Sequence, residues 1–338
     1  MKRTYLDWNA TAPLRPEARA AMLVAMDCLG NPSSVHAEGR AAKAIVEKAR
    51  GQLAEAIGAS GADIVFTSSA TEAAALALAG QAFCSPGYEH NCVLAWTDSE
   101  NTAELAKTAW QQANSETGII HELPEGIGLC DAVQAVGKIP YAFSWGGAER
   151  ALISGHKFGG PKGAGALIIR QGIDVEASLK GGGQEMGRRS GTENVIGIAG
   201  MGAAAEAAAI DLANGVWNKV EQIRNVFENR LLNESPELLI FGKDVKRLPN
   251  TSYFALPGWK AETQVMQMDL AGFAVSAGSA CSSGKVKASR VLKTMGYDEI
   301  TASSAIRVSI GPSTTAEDLD SFADAWLKEY RRYKARNN

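Results

Sequence analysis

Apolar positions recur along the chain with two periods. From Glu38 to Ile57, Ala42, Ile45, Val46, Ala49, Leu53 and Ile57 fall on one stripe at helical spacing, which predicts an amphipathic helix. The pattern then shortens. Ile64, Val65 and Phe66 read as a brief buried strand, and Ser69-Ala70-Thr71-Glu72 is a capping-box pattern opening an alanine-rich helix. The run IGLCD has strand character ending near Asp131, and RALIS and GALIIR predict two more short strands. Residues 1–14 read as extended, and residues 80–130 are the least regular part, broken at Pro86-Gly87, Gly118 and Pro124 to Gly128. A long helical region is expected over roughly 195–234, followed by LLIFG, TSYFAL and AIRVSIG alternating with helical segments. Strands alternating with helices predict an α/β fold with a mostly parallel sheet, followed by a smaller α+β domain.

Composition narrows the function classes. The 338 residues leave room for about two domains. A net charge of −3 gives no reason to expect nucleic acid as a partner. Five scattered cysteines (Cys28, Cys84, Cys92, Cys130, Cys281) form no C-x-x-C pair, and four histidines (His36, His90, His121, His156) show no ligand spacing. Neither a disulfide framework nor a metal site is expected. MKRTYLDWNATAP lacks an apolar core, so it is not a signal peptide. The most apolar window, GIAGMGAAAEAAAI, is interrupted by Glu206, so no membrane span is expected. A soluble, cytoplasmic protein is the expectation.

Chemistry concentrates in a few stretches. ISGHKFGGPKGAGALII places Ser154, His156, Lys157 and Lys162 among glycines, which allow close approach of backbone to a ligand; the Walker A pattern is not met. The start of the SSATEA helix is either a plain cap or an anion cradle, and Asp131 either caps the next helix or faces a ligand at a strand end. GGGQEMGRRSGTEN, residues 181–194, is a glycine-rich loop, either a flexible surface loop or one whose Arg188, Arg189, Ser190 and Thr192 suit phosphate. Cys281, in SAGSACSSGKVK, lies among small polar residues with Lys285 and Lys287 nearby, a setting for a reactive thiolate. Arg307 sits in an alternating strand, where a charge ordinarily faces solvent but a guanidinium also suits a carboxylate.

Taken in order, YLDWNATAPLRPEA, GNPSSVHAEGR, SSATEA, DAVQAVGK, SGHKFGGPKG, GGGQEMGRRSGTEN, PNTSYFAL, SAGSACSSG and AIRVSIG resemble the cysteine desulfurases of the NifS/IscS type, which are pyridoxal 5'-phosphate (PLP) enzymes of fold type I. The resemblance implies a large PLP-binding domain over 15–212, with 1–14 and 213–338 forming a small domain that carries the cysteine loop. It implies that Lys157 carries PLP as a Schiff base, Asp131 pairs with the pyridine nitrogen, Gln134 bonds the ring phenolate and His90 stacks on the ring. Thr71, Ser154 and His156 would hold the phosphate, with Thr192 from the other subunit of a homodimer. Arg307 would clamp the carboxylate of L-cysteine, with Asn114 and Ser115 beside the substrate, and Cys281 would take its sulfur as a persulfide. A sulfur acceptor, such as an iron–sulfur scaffold protein, would receive it. The chain departs from the family in a contracted 80–130 region, in Ser115 where a second asparagine is usual, and in Ser69 where glycine is common. A selenocysteine lyase and a weakly active PLP-binding scaffold are the alternatives.

Overall fold

The computed structural model describes residues 3–98, 104–278 and 287–337. The chain divides into two compact units, Thr11–Ala113 with His121–Asn214, and Met1–Ala10 with Asn114–Ile120 and Gly215–Asn338. The second includes β1 (Thr4–Tyr5) and the short turn 114–120, which is inserted between parts of the first.

The larger unit contains α1 (Pro16–Met26), α2 (Ala37–Ala56), β2 (Asp63–Thr67), α3 (Ala70–Leu78), β3 (Phe83–Cys84), α4 (Asn91–Leu94), β4 (Thr97–Asp98), β5 (Ala109–Gln111), β6 (Leu129–Asp131), β7 (Arg150–Ser154), β8 (Gly165–Ile169) and α5 (Val195–Ala213). Its sheet has the order β2-β8-β7-β6-β5. Strand β8 runs against both neighbours, so β2, β7, β6 and β5 share one direction and the sheet is mixed but mostly parallel. The reversal has a simple cause. A parallel return needs a crossover of a dozen or more residues, and the short connection 155–164 cannot supply one. Lys157 lies in that connection, on a single 3-10 turn, Gly155–Lys157.

Helix α2 forms as its stripe predicts, burying Ala42, Val46, Ala49 and Leu53, and His36 rather than Ser or Asp caps it. Ser69 caps α3 by accepting from the Glu72 amide, and Glu72 turns back to accept from the Ser68 amide at 2.7 Å. One expectation needs correcting. Helix α5 is long and apolar enough to cross a membrane by length and composition, Glu206 notwithstanding. Its residues are mostly buried against α1 and α2, and a Cβ at Gly202 would stand 2.6 Å from the Ala49 Cα. That close packing marks a core helix.

The smaller unit continues with α6 (Val216–Glu234), β9 (Leu239–Ile240), β10 (Thr251–Ala255), α7 (Ala261–Leu270), β11 (Phe273–Ala274), β12 (Ser276–Ala277), α8 (Arg290–Thr294), α9 (Glu299–Ser303), β13 (Ala305–Ser309) and α10 (Ala316–Asn337). Its antiparallel sheet has the order β12-β13-β10-β9. The expected helix over 195–234 is two helices, parted at Asn214 and Gly215, whose φ of 68° breaks the run.

Candidate active site

In the larger unit, Asp131 ends β6 and Ser154 ends β7, two parallel strands, where α/β sheets place ligands. Both side chains are buried. Burial raises the Asp131 carboxyl above its usual range, opposed by the Val133 amide, at 2.9 Å, and by the positive fields of His90 and Lys157. His90 caps α4, its Nδ1 accepting from the Cys92 amide. Gln134 is buried, and its Oε1 accepts from Lys138 Nζ at 2.5 Å. His156 approaches Thr11 Oγ1 at 3.2 Å. Its pKa is pushed down to about 4 by burial and then by Lys157, Lys162 and Lys138, which leaves a neutral imidazole in a cationic neighbourhood. Thr71 is exposed in the first turn of α3.

Loop 181–194 differs from its expected use. Arg188 reaches Asp63 and Asp174, and Arg189 reaches Glu72, so both guanidiniums tie the loop to the body of the unit. Glu185 is the loop's anchor: it accepts from the Phe66 amide at 2.7 Å and pairs with Arg50 at 2.9 Å. Thr192 is exposed.

In the smaller unit, Arg307 corrects the reading that a charge in an alternating strand faces solvent. Strand β13 lies between β10 and β12 and is buried along its whole length. Arg307 Nη2 donates to Asp7 Oδ1 and Nη1 to the Ser115 carbonyl, both at 2.8 Å. Its Nε has no hydrogen-bond partner among the described residues, although the side chain is 6% exposed. An unmade buried bond of this kind costs about 1–3 kcal/mol and is an opening for an anion. The Ser115 carbonyl also accepts from Asn9, so what the protein uses at position 115 is backbone. Asn114 Oδ1 closes the turn by accepting from the Glu116 and Thr117 amides. Cys281, and Lys285 beside it, lie outside the described residues.

Several residues here escaped the reading of the sequence. Glu89 is buried, and its carboxyl is raised well above its usual range by burial and then by Asp131. Lys138 stands four residues after Gln134, across a run of turns, and donates to it. Glu116 accepts from Ser289 Oγ at 2.5 Å and Tyr253 OH at 3.1 Å, with burial raising its pKa. No local pattern marked Asp7 as a partner for a residue three hundred positions away.

An α/β unit with a lysine on a turn at the strand ends, a buried carboxylate and a cationic neighbourhood is an arrangement that suits an anionic cofactor with a carbonyl, as in transferases that use one. The sequence pattern of the aminotransferase class-V family matches residues 4–124 and 97–322. A cysteine desulfurase of Cereibacter sphaeroides is 36% identical over 95% of this chain and 94% of its own, and the cysteine desulfurase IscS of Dictyoglomus turgidum is 34% identical over 95% and 93%. The solved NifS-like protein of Rickettsia africae superposes with a TM-score of 0.87 at 31% identity, covering 97% of this chain and 99% of that one. The chain belongs to the aminotransferase class-V family, with the cysteine desulfurases of the NifS/IscS type.

These enzymes depend on pyridoxal 5'-phosphate, and the residues present fit it. A buried carboxyl group at a strand end, raised by burial and short of a positive partner of its own among the described residues, suits a protonated ring nitrogen. A neutral His156 among three lysines, with the buried Ser154 hydroxyl, suits a phosphate.

Proposed function

We propose that this chain is a cysteine desulfurase that converts L-cysteine to L-alanine and leaves the sulfur as a persulfide on Cys281. The observation that carries the reading is the buried Asp131, charge-coupled to His90 and Lys157, in a chain matched nearly end to end by desulfurases. When bound, the cofactor supplies a sink for the electron pair released at the substrate α-carbon. Lys157 would hold it covalently and, once released, would move protons at the substrate α-carbon. Asp131 would pair with the ring nitrogen, Gln134 with the phenolate, and Thr71, Ser154 and His156 would receive the phosphate. His90 would lie by the ring. Arg307 receives the α-carboxylate through its Nε–H. The Cys281 thiolate bonds to the substrate sulfur as the Cβ–S bond breaks, and the carbon keeps the electron pair and takes a proton. The sum is L-cysteine plus a protein thiol giving L-alanine plus a protein persulfide.

The finer reading includes a cytoplasmic homodimer in which each Thr192 serves the other subunit's phosphate, with sulfur passed to an iron–sulfur assembly protein or another acceptor. The name IscS among the relatives supports only the passing of sulfur to an iron–sulfur assembly protein.

The test is intact-protein mass after brief exposure of the PLP-loaded protein to L-cysteine, with alanine assayed in the same tubes. One added sulfur on wild type, none on Cys281→Ser, and alanine in step with it are expected. Cofactor absorbance with neither sulfur nor alanine would overturn the reading in favour of a PLP-binding scaffold.

A further inference from the structure

Arg307 has five N–H donors, and neighbouring groups determine which are left for a substrate. Nη2 gives one to Asp7 and Nη1 one to the Ser115 carbonyl, while the single N–H of Nε has no partner among the described residues. Both takers are themselves held from behind. Asp7 Oδ2 accepts from Ser276 Oγ at 2.7 Å, and the Asp7 carbonyl accepts from Tyr5 OH at 2.9 Å. The backbone around Asp7 is fixed to β13, with the Trp8 amide donating to the Ser309 carbonyl and the Ser309 amide to the Leu6 carbonyl. The Ser115 carbonyl is gripped a second time by Asn9, whose own amide is engaged with Thr251 and Asn250.

We propose that Asp7 is a positioning residue for substrate recognition: anchored by Ser276, it turns Arg307 so that the Nε edge is left for the α-carboxylate. This deepens the desulfurase reading and rests on it for the substrate. The competing possibility is that Asp7 occupies the substrate's place and leaves when substrate arrives. The two differ in sign. A positioning carboxylate lost to alanine weakens substrate binding, because the guanidinium loses its orientation. A displaced occupant lost to alanine strengthens it, because competition is removed. The Ser276 bond favours positioning, since it holds Asp7 by the carboxylate oxygen that Arg307 does not use, from the residue paired with Arg307 across β12 and β13.

The experiment titrates PLP-loaded wild type, Asp7→Ala, Asp7→Asn and Ser276→Ala with L-cysteine, and separately with cysteamine, which keeps the amine and thiol but has no carboxylate. Binding is read from cofactor absorbance; KM, kcat, thermal midpoint and cofactor content are recorded alongside. In Asp7→Ala, apparent Kd and KM for L-cysteine should rise about tenfold or more, with a smaller change in kcat. Asp7→Asn still offers an oxygen to Nη2 and should recover most of the loss, and Ser276→Ala should show a lesser rise. Cysteamine binding should be the same in all four. Unchanged or tighter L-cysteine binding in Asp7→Ala at full cofactor content overturns the inference, as does equal weakening for cysteamine. If Asp7→Ala does not fold, Ser276→Ala decides alone: wild-type affinity for L-cysteine overturns it. Wild type that binds L-cysteine but forms no persulfide would instead defeat the desulfurase reading, and the comparison of affinities would still stand.

Discussion

His156 keeps its proton off at a cost that can be measured. Its folded pKa is pushed down to about 4 by burial first and then by Lys157, Lys162 and Lys138, whereas an unfolded histidine titrates near about 6.5. Between those values the unfolded chain binds the proton more readily, so this residue's contribution to stability is fully present above about 6.5 and is lost as pH falls toward about 4. In the cofactor-free protein, the thermal midpoint of wild type should therefore fall relative to that of His156→Gln as pH drops across that window. Scanning both proteins at half-unit steps reads the difference. Parallel curves would show that His156 is not depressed. The same residue illustrates what a sequence discloses at this scale. SGHK announces a cluster, and Lys157 and Lys162 lie in the same stretch, but burial, the largest cause of the neutral imidazole, and the smaller field of Lys138 come only with folding. Arg307 is the converse case: its strand was legible, but its burial followed from a central place in a sheet whose order is not written locally.

Among the elements, loop 181–194 depends on Glu185. That residue and Met186 have φ of 48° and 59°, a left-handed conformation that side chains rarely adopt without compensation. The compensation is the carboxylate, which meets Arg50 from α2 and the Phe66 amide from β2. Glu185→Ala leaves the buried Phe66 amide without its acceptor and takes one carboxylate from Arg50, which keeps Glu47 and the Ile64 carbonyl, so the cost is about 1–3 kcal/mol. Glu185→Gln keeps an acceptor for both and should lose less than half as much. Urea unfolding would show a lower midpoint with unchanged slope for both, in that order. Equal loss in the two variants would mean that charge, not the hydrogen bonds, holds the loop. Elements with a local cause were legible: the α2 stripe, the Ser69 cap, and the short strands around SGHK. The sequence left the role of the loop's arginines open because their partners, Asp63, Asp174 and Glu72, lie outside the loop, and an arginine satisfied by such a carboxylate looks the same in one dimension as one awaiting phosphate.

At the scale of the whole molecule, the proposed homodimer makes a claim that neither subunit's fold makes alone. Thr192 is exposed on a loop held rigidly by Glu185, Arg188 and Arg189, as suits a residue that serves another copy. If Thr192 acts across the dimer, a chain carrying Lys157→Ala and a chain carrying Thr192→Ala complement each other. In the mixed dimer one site has Lys157 from the Thr192→Ala chain and Thr192 from the Lys157→Ala chain, and so is intact; the other lacks both. If Thr192 serves its own subunit, the mixed dimer holds no intact site. The two variants, co-expressed with different affinity tags and purified through both, should therefore retain PLP more tightly, and release more alanine per bound PLP, than Thr192→Ala alone. Retention no better than that parent's would place the residue in its own subunit's site or outside any site. Because PLP content is read independently of turnover, the outcome bears on the assembly even where sulfur transfer is limited by the acceptor.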